Sequence, residues 1–373
     1  MQNELPITRH IPRIKSLLGK ERTLIIEAPP GAGKTTQVPI ALLDEPWLAK
    51  KKILLLEPRR LAAISCASHM SNLRSEPVGR TIGYQIRFDR KSGPDTRLLV
   101  VTEGIFTRMI QGDPELKGIG LVIFDEFHER SITSDLGLAL ARETQEVLNL
   151  DLRIVVMSAT METERLSAML SNAPIVRSQG RTFPVKTVYL PSEVQAGRHV
   201  PVEKKTFLAI GKALDRTKGD ILVFLPGVAE IKRLEHMLAE NLAPQIYQSL
   251  IVLPLYGNLT GKDQAKAFKK TPEGKTKLIL ATSIAETSIT IDGIKVVIDS
   301  GMMRKPRFSS RTGMTLLETV RVSRASADQR RGRAGRTAEG TCFRLWSEYE
   351  QSALQPFSRP EVLSADLSGL VLE

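Results

Sequence analysis

The sequence has 373 residues and a formal net charge of +12, with 42% hydrophobic and 25% charged residues. This composition excludes a disordered or collagen-like chain and is typical of a soluble globular protein long enough for two domains. The basic excess favours a polyanionic partner such as nucleic acid, although solubility alone would also account for it.

The two cysteines, Cys66 and Cys342, do not form a CxxC pair. We therefore expect neither a disulfide framework nor a structural zinc site. The start, MQNELPITRHIPRIK, lacks the apolar stretch of a signal peptide, and no apolar run elsewhere is long enough to cross a bilayer. We expect a cytoplasmic monomer with no membrane partner.

Short apolar runs recur along the chain and carry little polar alternation, which predicts strands buried on both faces. They are TLIIEA (23–28), KILLLEP (52–58), RLLVVT (97–102), LVIFDE (121–126), RIVVMSA (153–159), DILVFLP (220–226), KLILATS (277–283) and KVVIDSG (295–301). Amphipathic stretches such as 134–148 and 227–242 lie between them. Strands that alternate with helices predict an α/β fold of mostly parallel sheets covered by helices.

The alternation breaks near RTFPVKTVYLPSEVQAGRHVPVEKK, which has three prolines and no helical period. This break predicts a first domain over 1–180 and a second over 181–350. The last residues, 351–373, look like the start of a truncated C-terminal region.

The stretch IIEAPPGAGKTTQVP (25–39) predicts a phosphate-binding P-loop between a strand and a helix, with Ala28 where the motif usually has its first glycine. Gly31 and Gly33 allow backbone N–H groups to surround phosphate oxygens. Lys34 can reach the β and γ phosphates, and the Thr35 hydroxyl can bind Mg²⁺. The N-terminus of the helix adds positive charge.

The stretch FDEFHER (124–130) places Asp125 and Glu126 at the end of an apolar run. Ligands gather at the carboxyl ends of strands in parallel sheets, so both acids should face the phosphate site. We expect Asp125 to hold Mg²⁺ and Glu126 to deprotonate the attacking water. Helix capping is the alternative role for these acids.

The stretch ADQRRGRAGR (327–336) spaces Gln329, Arg333 and Arg336 at i, i+4 and i+7, which predicts one shared helical face. Arg333 and Arg336 are candidate arginine fingers for charge that develops on a phosphate. A nucleic-acid phosphate patch, for which Arg330 and Arg331 are better placed, and a purely structural basic helix are the alternatives. Fingers on one domain and a P-loop on the other would place the nucleotide in the cleft between them, which binding would close and hydrolysis or product release would open.

These motifs together resemble those of superfamily 2 helicases of the DEAH/RHA type, and most closely the bacterial HrpB-type group. The motifs, in order, are GAGKTT (31–36, including Ala32 and Thr36), EPRRLAA (57–63), TEG (102–104), DEFH (125–128), SAT (158–160), ATSIAETSITIDG (281–293) and QRRGRAGR (329–336). The resemblance implies two RecA-like domains and an ATP-dependent RNA helicase that moves 3′ to 5′ and uses Mg²⁺ and ATP or other NTPs.

The resemblance also implies roles for further residues. Three match positions that couple hydrolysis to domain motion: His128, Ser158 and Thr160. Six match positions that contact nucleic acid: Arg59, Arg60, Thr102, Thr287, Thr290 and, in the hook turn GYQIRFD (83–89), Arg87. Asp292 matches a position that touches the ribose, and 302–320 matches the strand-separating hairpin.

Base binding in these relatives relies on stacking, so several NTPs are accepted. Phe268 matches the stacking phenylalanine, although it could instead belong to the core. His69 stands where the facing residue is usually arginine, and a neutral imidazole can still stack without a permanent cation.

Three functions compete at this point. An RNA-dependent NTPase of the helicase class is the leading hypothesis, with single-stranded DNA as the alternative substrate to RNA. A nucleotide-switched RNA-binding clamp or remodelling module without processive unwinding is the second. A P-loop kinase or transporter ATPase is disfavoured because QRRGRAGR has no place in those proteins.

Overall fold

The computed structural model describes residues 5–159, 163–180, 183–190, 200–216, 219–286 and 291–372. The chain forms two compact units. The first unit consists of Met1–Arg181 and the short segment Pro360–Leu363, and the second consists of Thr182–Arg359 and Ser364–Glu373. No helix among the described residues combines the length and the apolar character needed to cross a membrane.

The first unit is built on a mixed sheet in the strand order β4-β3-β5-β2-β6-β7-β1-β8. Its strands are β1 (Thr23–Glu27), β2 (Lys52–Glu57), β3 (Ile82–Ile86), β4 (Asp89–Lys91), β5 (Leu98–Thr102), β6 (Ile119–Phe124), β7 (Arg153–Ser158) and β8 (Ile175–Arg177). All neighbouring strands pair in parallel except β3 and β4, which form an antiparallel hairpin.

Helices cover both faces of this sheet, and alternate residues of each central strand enter different hydrophobic clusters. In β2, Ile53 and Leu55 pack on one side, and Leu54 and Leu56 pack on the other. The α-helices are α1 (Ile11–Leu18), α2 (Lys34–Leu42), α3 (Arg60–Leu73), α4 (Glu103–Gly112), α5 (Ile132–Glu143) and α6 (Thr163–Met169). Short 3₁₀-helices span Pro6–His10, Pro46–Leu48 and Phe127–Glu129, and a π-helical turn, Thr144–Leu148, follows α5.

The second unit has a parallel sheet in the order β11-β12-β10-β13-β16-β9 and a separate antiparallel hairpin, β14–β15. Its strands are β9 (Val185–Tyr189), β10 (Asp220–Phe224), β11 (Leu250–Leu255), β12 (Thr276–Ala281), β13 (Ile294–Asp299), β14 (Met302–Ser309), β15 (Met314–Arg321) and β16 (Gly340–Arg344). The helices are α7 (Val202–Arg216), α8 (Val228–Asn241), α9 (Pro244–Ser249), α10 (Gly261–Lys266), α11 (Arg324–Gly332), α12 (Glu348–Ser352) and α13 (Ser368–Leu372). The 3₁₀-helices are Ser283–Ala285, Arg333–Gly335 and, in the segment that belongs to the first unit, Glu361–Leu363.

The prediction of an α/β fold with two mostly parallel sheets is confirmed, and every apolar run named above forms a strand paired in parallel. The structure also forms the expected hairpin from residues 302–321.

Candidate functional site

The P-loop joins the end of β1 to the start of α2. Gly31 (φ 83°) and Gly33 (φ 89°) both have left-handed backbones, which residues with a Cβ rarely adopt. Ala32 is buried, and its carbonyl oxygen accepts a hydrogen bond from the Ile7 N–H at 3.1 Å, so the N-terminal 3₁₀-helix supports the loop. The loop turns so that Lys34 begins α2 directly after Gly33, and the side chain of Thr36 lies 3.5 Å from the Gly33 carbonyl.

Lys34 and the two acids come together at the carboxyl ends of β1 and β6, as the sequence predicts. The Lys34 ammonium lies 3.2 Å from Asp125 Oδ1 and 3.1 Å from Glu126 Oε1, and all three side chains are buried. The Thr35 hydroxyl donates a hydrogen bond to Asp125 Oδ2. The ammonium therefore supplies the positive charge that makes two adjacent buried carboxylates tolerable.

The charges of this cluster are strongly coupled. Burial by itself lowers the pKa of Lys34, but Asp125 and Glu126 outweigh it and raise that pKa above its ordinary value. Burial raises the pKa of Asp125, and the charge of Glu126 raises it further, so that Lys34 does not bring it back to its usual range. One ammonium thus only partly compensates two carboxylates.

Glu126 marks a sharp break in the chain at the end of β6. Asp125 still pairs with β2 through its N–H and the Leu56 carbonyl at 3.1 Å, but Glu126 has the left-handed values φ 50° and ψ 33°. That conformation costs a residue with a side chain roughly 1–2 kcal/mol. Phe127 then buries its ring edge-to-face against Phe124, with centroids 6.3 Å apart. The strained turn points the Glu126 carboxylate at Lys34 while Phe127 holds the turn on the core.

His128 connects the acid pair to the end of β7. Its Nδ1 lies 3.4 Å from Glu126 Oε2 and accepts the Ala159 N–H at 3.4 Å. Ser158, which precedes Ala159, is fully buried, and its carbonyl accepts the Ala28 N–H at 2.9 Å. His128 is therefore in contact with the acid pair, and Ser158 with the residue that follows β1 on the way into the P-loop. Thr160 lies outside the described residues.

The expected nucleic-acid residues of the first unit are near the surface. Arg59 forms a salt bridge of 3.0 Å with Glu129, at the end of the 3₁₀-helix that contains His128. Arg60 begins α3 and is exposed, and Thr102 lies half-buried at the N-terminus of α4. Arg59, which the sequence analysis expects to contact RNA, is thus connected to the loop that carries the acid pair.

The β3–β4 hairpin presents a residue that the sequence analysis missed. Phe88 is 90% exposed and has φ 67°, a conformation that a bulky side chain rarely adopts. The Arg87 guanidinium lies over its ring, 4.8 Å from the centroid. The stretch RFD within GYQIRFD was a usable signal, because the charged neighbours Arg87 and Asp89 keep this turn in solvent.

The helical face predicted for Gln329, Arg333 and Arg336 is wrong in one respect. The α-helix α11 ends at Gly332, and Arg333–Gly335 is a 3₁₀-helix, so that the spacing of 3.6 residues per turn does not continue to Arg336. Gly335 lets this turn pack closely against the chain before β9, since a Cβ there would lie 2.6 Å from the Phe183 carbonyl oxygen. Arg333 is buried and donates from Nε to the Glu286 carbonyl at 3.0 Å, whereas Arg336 is half-buried.

The suggestion that Arg330 is a nucleic-acid contact is wrong. Its side chain is fully buried and pairs with Glu286 at 3.0 Å and with Asp299 at 2.9 Å. Burial lowers the pKa of Arg330, but these two carboxylates raise it above its ordinary value. Arg330 therefore links α11 to Glu286 and to the end of β13 inside the unit, while Arg331, 42% exposed, keeps access to solvent.

The nucleotide-base candidates are both accessible within their own units. His69 is exposed on α3, and Phe268 is half-buried in the turn after α10, so that part of its ring is open to solvent. Asp292 is exposed and lies two residues before β13. Thr287 and Thr290 lie outside the described residues.

The donors at the acid pair fit a magnesium ion. Mg²⁺ prefers hard oxygen ligands and is usually held by one or two protein groups together with substrate phosphates. The Thr35 hydroxyl and the Asp125 carboxylate are such oxygens and already touch each other. No group of three or more His, Cys, Asp or Glu side chains with metal-ligand geometry occurs among the described residues, so an all-protein metal cage is not part of them.

Comparison with known proteins agrees with this geometry. Residues 9–168 match the family described as DEAD/DEAH box helicase, and residues 205–338 match the helicase conserved C-terminal domain. The chain belongs to the DEAD/DEAH box helicase family. These matches cover the P-loop and acid pair in the first unit and QRRGRAGR in the second.

Individual relatives share the whole length of this helicase-family chain. It is 46% identical over 371 residues to the ATP-dependent RNA helicase HrpB of Escherichia coli, a match that covers 100% of the chain and 45% of that protein. It is 35% identical to the ATP-dependent RNA helicase HrpA of Borreliella burgdorferi, covering 99% of the chain and 44% of the relative. The chain thus spans less than half the length of these relatives.

The fold matches solved structures equally well. A crystal structure of E. coli DEAH/RHA helicase HrpB superimposes with a TM-score of 0.90 at 45% identity, covering 99% of this chain and 46% of that one. A second structure, of the E. coli DExH-box NTPase HrpB, gives a TM-score of 0.85.

Proposed function

We propose that this protein hydrolyses ATP, and other NTPs, and uses the cycle to move along RNA in the 3′ to 5′ direction as a helicase or translocase. The observation that carries the proposal is the buried cluster in which Lys34 contacts both Asp125 and Glu126, beside Thr35 and the P-loop. The relatives named above, two ATP-dependent RNA helicases, support the same activity.

Each group in the cluster has a defined task. The N–H groups of Gly31–Thr36 and the N-terminus of α2 bind the phosphates, and the Lys34 ammonium turns from the carboxylates to the β and γ phosphates. Thr35 and Asp125 hold Mg²⁺, which when bound neutralises charge on the transferred phosphoryl group. Glu126 takes the proton of the attacking water, a task for which its strained backbone already orients the carboxylate.

The second unit completes the reaction. Arg333 and Arg336 stabilise the charge that develops on the γ-phosphoryl group, and Gln329 orients the water. The domains proposed here, 1–180 and 181–350, then close on the nucleotide before hydrolysis and open after it. The contact of His128 with Glu126 and with Ala159 is the route by which the state of the acid pair reaches the end of β7.

RNA is bound through its backbone and stacked bases. Arg59, Arg60, Arg87 and Thr102 bind phosphate and sugar, which gives affinity without sequence preference. The base of the nucleotide stacks between Phe268 and His69, and stacking accepts every base. A nucleotide-switched RNA clamp is the second candidate, because the same P-loop and acid pair would bind a nucleotide whether or not its turnover separates strands.

Steady-state release of phosphate from ATP tests the proposal, with poly-RNA, single-stranded DNA of matching sequence, or no nucleic acid. We expect RNA to stimulate turnover, and Glu126→Gln to lose about 10²–10⁴-fold in kcat while it still binds ATP. Glu146→Gln, an exposed carboxylate paired with Arg142 in the same unit, is the matched control and should keep full activity. Turnover that ignores RNA would contradict the proposal.

A duplex with a 3′ single-stranded overhang separates the two candidate functions. A helicase displaces the paired strand when ATP is added, and a duplex with a 5′ overhang stays intact. A clamp shows ATP-dependent changes in RNA affinity with no displaced strand.

A further inference from the structure

A buried lysine of the adjacent strand β12 anchors the turn that contains Phe268. Lys277, in strand β12, donates from Nζ to the carbonyl oxygen of Ala267 at 3.1 Å and to that of Lys269 at 2.9 Å. These carbonyls belong to the residues directly before and after Phe268. Two hydrogen bonds on either side of one residue fix the direction in which its side chain leaves the backbone.

A carboxylate secures the same turn from a neighbouring strand. Asp220, at the start of β10, accepts the Lys277 N–H at 2.9 Å and the Thr271 hydroxyl at 2.5 Å. The turn from Ala267 to Thr271 is therefore attached to the sheet at three points, with Phe268 between the first two.

The distances show which partner Lys277 serves. Its ammonium is 3.6 Å from the Asp220 carboxylate but 2.9 Å and 3.1 Å from the two carbonyls, and Lys277 is only 3% exposed. A buried ammonium carries a large desolvation cost, and an apolar side chain could fill the same space without it. The Lys277 ammonium therefore binds the two carbonyls directly, and Asp220 supplies the compensating negative charge.

We propose that Lys277 is a positioning residue, which holds Phe268 in the orientation that stacks on the base of a nucleoside triphosphate. This inference rests on the stacking role given to Phe268 in the proposed function. Because Lys277 is buried and its ammonium is bonded to the carbonyls on either side of Phe268, we expect its effect to reach the nucleotide through the aromatic ring.

The test compares equilibrium binding of Mg·ATP with that of inorganic tripolyphosphate, which has no base. Base stacking is worth roughly 1–3 kcal/mol, so Lys277→Met should raise the Kd for ATP about tenfold and leave that for tripolyphosphate unchanged. Lys275→Met is the matched control, because Lys275 is exposed and donates to a single carbonyl, that of Gln248, at 2.6 Å. It should change neither constant.

A double variant decides between positioning and general structural support. If Lys277 acts through Phe268, the variant with both Phe268→Ala and Lys277→Met binds ATP no more weakly than Phe268→Ala alone. The inference is overturned if the double variant raises the Kd for ATP by the product of the two single factors. It is also overturned if Lys277→Met weakens the binding of tripolyphosphate as much as that of ATP. Thr271→Val removes one attachment of the turn without burying a charge; should Lys277→Met prevent folding, Thr271→Val must show a smaller loss confined to ATP.

Binding constants keep this inference apart from the proposed function. If Phe268→Ala leaves the Kd for ATP unchanged, the inference falls together with the stacking role, while RNA-stimulated turnover can still stand. If turnover ignores RNA, the proposed function fails, and the ATP and tripolyphosphate constants still support or overturn the role of Lys277.

Discussion

We predict that Arg330→Met lowers the free energy of unfolding of the second unit by about 3 kcal/mol. The guanidinium is 0% exposed and contacts Glu286 at 3.0 Å and Asp299 at 2.9 Å. Removing one partner of a buried ion pair costs about 3–5 kcal/mol, since the remaining charges stay buried and uncompensated. The lower end applies because the Glu286 side chain keeps 10% exposure and methionine refills most of the volume.

Urea unfolding followed by tryptophan fluorescence measures this loss. The chain has two tryptophans, Trp47 in the first unit and Trp346 in the second. A Trp47→Phe background leaves Trp346, which is buried near the second unit's sheet, as the reporter. With a slope of about 2 kcal/mol per molar urea, a loss of 3 kcal/mol moves the midpoint by roughly 1.5 M.

Arg331→Met is the matched control for this experiment. Its side chain is 42% exposed, and its nearest carboxylate, Asp328, is 3.7 Å away, so the expected change is within about 0.5 kcal/mol. The reasoning is refuted if Arg330→Met moves the midpoint no further than the control. It is refuted more directly if Arg330→Met weakens RNA binding while the unit stays stable, which would restore the surface role for Arg330.

Two further substitutions test the first unit. Phe88→Ala should leave stability unchanged or raised, because Phe88 is exposed with φ 67°. The exposed ring lies beside Arg87, a proposed RNA contact, so we expect it to stack on an RNA base, and its loss should raise the Kd for single-stranded RNA about tenfold in fluorescence anisotropy. An unchanged Kd would show that Phe88 takes no part in RNA binding. Phe127→Ala should lower the free energy of unfolding of this unit by about 3 kcal/mol, because it empties a buried site packed against Phe124. The fluorescence of Trp47 in a Trp346→Phe background measures this change. A loss below about 1 kcal/mol would mean that the loop collapses into the empty space.

The sequence predicts the sheets well because burial on both faces requires a recognisable run of apolar residues. A strand covered on both faces needs a continuous apolar run, and ILLL (53–56) and LVIF (121–124) are such runs. The P-loop and acid pair are equally accessible to prediction, because glycines, one lysine and acids at strand ends follow from phosphate chemistry. Their approach in space follows from parallel topology alone.

The errors have a common physical source, which is partners distant in sequence. A run such as QRRGRAGR suggests a solvated basic face, but Arg330 meets Glu286 and Asp299, 44 and 31 residues earlier. The burial of Lys277, which the sequence analysis did not address, has the same source: its ammonium is bonded to carbonyls of the preceding turn. Local periodicity does not report contacts between residues distant in sequence. The available clue was an acid within or next to an apolar run, Glu286 in IAETS and Asp299 in VVIDSG, because a buried acid needs a cation.

Lys34 is the group whose surroundings must change most when a nucleotide binds. Its ammonium now compensates Asp125 and Glu126, at 3.2 and 3.1 Å, and a triphosphate draws it away from both. Without a metal ion, that move leaves buried carboxylates uncompensated beside four negative charges, so metal-free ATP should bind weakly. Asp125→Asn removes one of these carboxylates and should therefore tighten binding of ATP in EDTA by about tenfold, or 1.4 kcal/mol, while abolishing turnover. If the variant binds metal-free ATP no more tightly than the native protein, Lys34 is not the shared counter-ion of the two acids in solution.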